Sequence, residues 1–183
     1  MLFRWEEILQ SIFGKVSDDI PMTREEFISN VRSEQKHLRM YLLGLCGDPA
    51  LADDLAQDCL MKAYLASSGY RSIFKFSTWL LKIAYNTFLD HQKLCHVRKR
   101  SPLESAPEPH DGCTSDASFE YQSLYQALDS LAGKEKSAIM LFYIYGFSVR
   151  EISVIMDESG PAVRKQLQRA RLHLKDKLEN DEN

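Results

Sequence analysis

Residues 147–178 read FSVREISVIMDESGPAVRKQLQRARLHLKDKL, and the class of the whole chain follows from this stretch. Ser148 and Glu151 stand three apart ahead of an apolar run, the spacing of a capping box, and predict a short helix. Asp157 to Gly160 interrupt it, and Pro161, whose fixed φ suits the first helical position, opens a second and longer helix. Placed on a wheel of about 100° per residue, Val163, Leu167, Ala170 and Leu174 share one side of that helix. Lys165, Gln168 and Arg169 face away, flanked by Arg164 and Arg171. From Ala162 to Leu178 there are six Lys or Arg against one Asp. A short helix, a tight turn and a longer basic helix predict a helix-turn-helix. Its outer face carries donors suited to guanine edges and phosphates and a Gln suited to adenine. The competing reading is a solvated charged face; it prevails for an isolated basic helix and loses to a capped helix and tight turn placed before it.

Working back toward the N-terminus, Lys134 to Tyr145 read as a helix ended by Gly146, preceded by a helical pattern from Tyr121 that places Leu124, Leu128 and Leu131 on one face. Ahead of that, residues 101–120 change composition: three Pro, five acids, no Lys or Arg. This is a flexible acidic linker. Before it, Ser77 opens STWLLKIAYNTFLDHQKLCHVRKR, with Leu80, Ile83, Ala84, Thr87 and Leu94 inward. Asp48 as N-cap and Pro49 start DPALADDLAQDCLMKAYLAS, which stops at Gly69. Thr23 and Glu26 form a capping box for a long helix with Phe27, Val31, Leu38, Leu42 and Leu45 as its inner stripe, ended by Gly44 and Gly47. Residues 1–22 read as an amphipathic extension in which Trp5, Ile8, Leu9, Ile12, Phe13 and Val16 recur at helical spacing. No segment alternates as a strand does, so the fold class is all-α: a module at 23–100, a linker at 101–120 and a second module at 121–183.

Composition narrows the function. The 183 residues are 44% hydrophobic and 27% charged with a net charge of −3, so nucleic acid is not bound by bulk charge, and DNA contact must come from local patches. Four cysteines, Cys46, Cys59, Cys95 and Cys113, form no CxxC pair and read as reduced thiols. No apolar run approaches the roughly 20 residues a bilayer needs, and Glu6 and Glu7 sit where a secretory peptide carries only cations. A cytoplasmic chain is expected. P-loop, GxSxG, HExxH and EF-hand spacings are lacking, so no enzyme, cofactor or small-molecule substrate is expected. His91, Cys95 and His96 are a weak metal candidate, and no metal site is expected.

The first module offers two further surfaces. Trp79, Lys82, Asn86, Asp90 and Lys93 fall at helical intervals on one face, roughly opposite the inner stripe. Near them in sequence lie Tyr70, Arg71, Phe74 and Phe76 in a loop, and His96, Arg98, Lys99 and Arg100 at a helix end. Aromatics that stack unpaired bases, mixed with cations that track a backbone, suit single-stranded DNA. The alternative is that Trp79, Phe74 and Phe76, each taken singly, plug the core. Asp53, Asp54, Gln57 and Asp58 form an acidic patch beside Leu55 and Leu60, which excludes DNA and fits a protein partner with a basic surface. A helix N-terminus favours Asp53 and Asp54 through its dipole, but Asp58 lies too far in.

The blocks ALADDLAQDCLMKAYL, FSTWLLKIAYNTFLDHQ, YGFSVREISVIM and VRKQLQRARLHL resemble, in order and spacing, bacterial sigma factors of the extracytoplasmic-function group. The likeness covers residues 24–100 and 121–178. It implies sigma domain 2, a helical bundle, and sigma domain 4, a helix-turn-helix, without the middle domain of housekeeping sigma factors. The resemblance implies that Asp53, Asp54, Gln57 and Asp58 meet core RNA polymerase. Trp79 to Asn86, with Asp90, then lie in the promoter-melting helix, and residues 67–74, including Tyr70, Arg71 and Phe74, hold a flipped base with Arg98, Lys99 and Arg100 nearby. Ser148, Arg164, Lys165, Gln168, Arg169 and Arg171 contact the upstream element. An anti-sigma partner is implied too. The chain departs from the pattern at Asp157, where a turn Gly is usual, at Glu158, at Pro161-Ala162 and at Gln166.

A linker of 20 residues has an r.m.s. span of about 25 Å, while two duplex turns measure about 70 Å. Polymerase is the frame expected to hold the modules on promoter DNA, duplex upstream and single-stranded downstream, with weak duplex binding by the free chain. The alternatives are a stand-alone helix-turn-helix regulator, which would dimerise on paired half-sites, and an interaction module that sequesters another regulator.

Overall fold

A computed structural model describes residues 22–71, 73–100, 128 and 130–181; side chains at 96–100 and 178–181 are not described. The linker and the N-terminal extension read from the sequence lie outside those residues. Within them all regular structure is helical.

Helix α1 (Arg24–Cys46) begins where expected: Thr23 accepts from the Glu26 amide, and the Glu26 carboxylate accepts from the Thr23 amide. It ends at Gly47, whose φ of 73° is a left-handed C-cap that glycine adopts without steric cost. Gly44, read as part of that ending, is instead buried inside the helix. Asp48 then caps α2 (Pro49–Ala66), accepting from the amides of Ala50 and Leu51. A 3₁₀ turn at Ser67–Gly69 leads through a loop to α3 (Phe76–Arg100), one residue earlier than Ser77 implied.

The three helices close around Phe27, Leu38, Leu42, Leu45, Leu55, Cys59, Leu80, Ile83 and Ala84, all buried. Leu94, expected inward, is 59% exposed. The stripe continues along α3, but α3 at that point has run past the residues that α1 and α2 offer it. Burial pushes the Cys59 thiol up to about 12, which leaves it an inert core group.

The second module starts, in the described residues, with buried Leu128 and Leu131. Helix α4 (Gly133–Ile139) passes into a π-helical segment at Met140–Ile144. Helix α5 (Val149–Met156) and helix α6 (Gly160–Asp181) follow. Ser148 and Glu151 form the expected capping box. Val163, Leu167 and Ala170 are buried and Leu174 half-buried, so the wheel drawn from sequence gives the packed side of α6.

The two modules share one hydrophobic cluster. The Tyr41 hydroxyl of α1 and the Ser137 hydroxyl of α4 are 2.6 Å apart and buried. Tyr145 sits edge-on to both Tyr41 and His37, with centroids at 5.9 and 6.0 Å. Nothing local in the sequence announces this packing.

Candidate nucleic-acid interface

Helix α5 lies along the first half of α3. At its start, Glu151 is 3.9 Å from Lys75 and the Arg150 guanidinium stands 5.8 Å over the Phe74 ring. At its end, Asp157 is 3.9 Å from Lys82. Six residues separate Glu151 from Asp157 and seven separate their partners Lys75 and Lys82, about 9 and 10 Å at helical rise. The two helices therefore run in the same direction for two turns.

This packing decides the state of the expected single-strand face. Trp79 is 2% exposed and Lys82 3% exposed. Trp79 is enclosed from within its own module, its ring 5.1 Å from Tyr70 and 5.4 Å from Phe76, with Phe76 in turn 6.1 Å from Phe27. It belongs to the core. Lys82 is covered by the other module: its ammonium makes no hydrogen bond, and burial lowers its pKa while Asp157 opposes that shift. Asn86 and Asp90 are half-buried, and Asp90 pairs with Lys93 at 3.3 Å. The Tyr70 hydroxyl donates to the Phe74 carbonyl, and Arg71 donates to the Ser68 and Tyr70 carbonyls, so the loop is braced by its own backbone. Arg98, Lys99 and Arg100 lie on α3, their side chains outside the described set.

The acidic patch divides. Asp54, Gln57 and Asp58 are exposed. Asp53 instead takes a forked ion pair from Arg39 of α1, at 2.5 and 3.2 Å, which holds its carboxyl below the usual carboxylate range. Met61, Tyr64 and Leu65, which sequence reasoning passed over, are 59%, 52% and 66% exposed. Met61 and Leu65 follow Asp54 and Asp58 at steps of three and four and share their side of α2, so the acidic patch continues as an apolar one, while Tyr64 stands at its edge with its ring 5.6 Å from that of Phe27. Three large apolar residues recurring at 61, 64 and 65, off the stripe of Leu55 and Cys59, were the available signal.

On α6, Arg164, Lys165, Gln168, Arg169 and Arg171 are all exposed. Arg171 donates to the Leu167 carbonyl one turn back. Ser148 is exposed, its hydroxyl donating to Glu151 Oε2 at 2.7 Å. Asp157 caps α5 at φ 54°, ψ 44°, the sole described non-glycine residue with positive φ, a conformation that costs an L-residue roughly 1 kcal/mol and that Asp tolerates better than most. No described cluster of His, Cys, Asp or Glu could hold a metal, although Cys95 Sγ is 3.7 Å from His91 Nε2. Cys46, Cys59 and Cys95 are free thiols, and Cys113 lies outside the described residues.

Comparison with known proteins agrees with this organisation. The sigma-70 region 2 model matches residues 30–101 and the sigma-70 region 4 model residues 121–174. The ECF RNA polymerase sigma factor SigE of Mycolicibacterium smegmatis is 30% identical over 177 residues, covering 92% of this chain and 66% of its own length. The ECF RNA polymerase sigma factor EcfG of Rhodopseudomonas palustris is 25% identical over 163 residues, covering 85% and 86%. Among solved structures, the sigma factor RpoE bound to the anti-sigma factor NepR from Bartonella quintana superposes with a TM-score of 0.68 at 23% identity, over 85% of this chain and 98% of that one.

Proposed function

The chain belongs to the extracytoplasmic-function group of bacterial sigma factors, and we propose that three of its surfaces divide promoter recognition and initiation between polymerase docking, strand opening and upstream anchoring. The exposed face of α2, acidic at Asp54 and Asp58 and apolar at Met61 and Leu65, docks on core polymerase. Charge steers the encounter, and desolvation of the apolar half supplies affinity. Helix α6 enters the major groove with Arg164, Lys165, Gln168 and Arg169 toward the bases and phosphates, because its opposite side is already committed to the core. Helix α3 and the loop before it receive the opened strand.

The observation that carries this reading is the pairing of two polar faces of opposite sign on separate modules. An anion-rich face with exposed apolar residues suits a protein, and a cation-rich helix face suits duplex DNA. The α3 surface opens to DNA only when α5 leaves it, so the packed arrangement of the modules is a resting form, and docking on polymerase draws them apart. An anti-sigma partner, of the kind bound to RpoE from Bartonella quintana, would act by holding that resting form or by covering the α2 face.

Replacing Asp54 and Asp58 by Lys tests the division of labour. Affinity for core polymerase falls at least about tenfold, while duplex affinity of the free chain is unchanged or rises. Equal loss of both, or of neither, contradicts it, and unchanged polymerase affinity favours a stand-alone regulator.

A further inference from the structure

We propose that Asp157 stands in for a nucleic-acid phosphate at Lys82, so that the turn of the helix-turn-helix is a built-in competitor of single-stranded promoter DNA for the strand-opening helix. The inference rests on the assignment of α3 to strand opening. Lys82 is buried, yet its ammonium makes no hydrogen bond, and the carboxylate of Asp157 stands 3.9 Å away, too far to supply one. A buried ammonium without an acceptor is costly, so this arrangement leaves Lys82 with interaction free energy that a better-placed anion can collect. A phosphate, with several strong acceptor oxygens, is such an anion.

The competitor is built from more than one charge. Glu151 on α5 faces Lys75, the residue just before α3, at 3.9 Å, so two carboxylates of α5 and its C-cap stand against two ammonium groups at the start of the strand-opening segment, one exposed and one buried. Glu158, next to Asp157, accepts from Lys134 at 2.6 Å through one carboxylate oxygen, while its other oxygen is buried with no hydrogen-bond partner, so the surface that covers α3 is not fully satisfied. Asp157 holds its place in a left-handed conformation that a glycine would adopt freely but without a carboxylate.

The test uses the full chain without polymerase, a fluorescent single-stranded oligonucleotide of about a dozen nucleotides, a length within the range such clefts cover, and a donor–acceptor dye pair reporting the distance between the modules. Asp157→Asn retains tolerance of the left-handed turn while removing the charge. It should raise oligonucleotide affinity about three- to tenfold and lengthen the mean distance between modules; Asp157→Gly should do the same. In a Lys82→Gln background the gain should vanish. Unchanged affinity and distance in both Asp157 variants, with transcription intact, overturn the proposal alone. Absence of chain-dependent transcription from every promoter overturns the assignment of α3, and the proposal with it.

Discussion

Ser148 shows how much one residue settles. Its side-chain oxygen accepts from the Glu151 amide at 3.3 Å, and the Glu151 carboxylate accepts from the Ser148 amide at 2.9 Å. Ser148→Ala should cost about 1 kcal/mol and lower Tm by about 2–4 °C, measured by thermal unfolding. Burial raises the pKa of Glu151, but the Ser148 hydroxyl and amide and Lys75 outweigh it, so the carboxyl lies below its ordinary 4.5. A depressed folded value means that its stabilisation is complete above pH 4.5 and is lost as pH falls through the folded value. Urea unfolding between pH 5 and 3 should therefore decline less steeply in Glu151→Gln than in the native chain. Equal slopes would contradict the assignment. At this scale the sequence is readable: Thr23, Asp48 and Ser148 cap helices through bonds that span two or three residues, so spacing alone identifies them. Trp79 and Lys82 are not readable in the same way. A wheel puts them off the inner stripe, but one is buried by a loop aromatic and the other by a turn 75 positions later.

At the scale of elements, α6 makes the sharpest prediction. Its buried side is apolar and its other side carries Arg164, Lys165, Gln168 and Arg169. For each phosphate that Arg164→Ala or Arg169→Ala leaves unneutralised, the slope of log affinity against log salt should fall by about 0.9. A change of base preference without any change of slope would mean that the residue reads a base edge instead. Gln168→Ala should relax discrimination at one base position by about 1–3 kcal/mol and leave the slope alone. Binding titrations at several salt concentrations separate these outcomes. The wheel gave the outer face of α6 because periodicity within one amphipathic helix is a local property. The same wheel sets Met61, Tyr64 and Leu65 off the stripe of Leu55 and Cys59, but only the packing of the other helices elsewhere leaves them exposed instead of covered by a further element.

For the whole molecule, the informative feature is one shared core under two modules that lie on either side of residues 101–120 in the sequence. Tyr41 is buried, and burial holds its phenol well above its usual range, so it is a neutral hydrogen-bonding group against Ser137 at 2.6 Å. Tyr41→Phe leaves the buried Ser137 hydroxyl unpaired at a cost of about 1–3 kcal/mol. The measurable outcome is a longer mean distance between modules in small-angle scattering, with helix content unchanged. A scattering curve identical to that of the native chain would count against that pair as a closure contact. The helices and their order were legible in the sequence because each is specified by its own caps and stripe. The closure was not, because pairing a Tyr at 41 with a Ser at 137 leaves no periodic trace. The resemblance to sigma factors supplied the two domains but not the arrangement in which one covers the other.

Each of these surfaces matters only if the chain directs core polymerase to promoters. Run-off transcription by core enzyme from a promoter library, with and without the chain, measures that directly. Start sites should appear only when the chain is added, and should disappear with the Asp54→Lys, Asp58→Lys double variant. A set of start sites indifferent to its presence would contradict the assignment of the chain as a promoter-directing subunit.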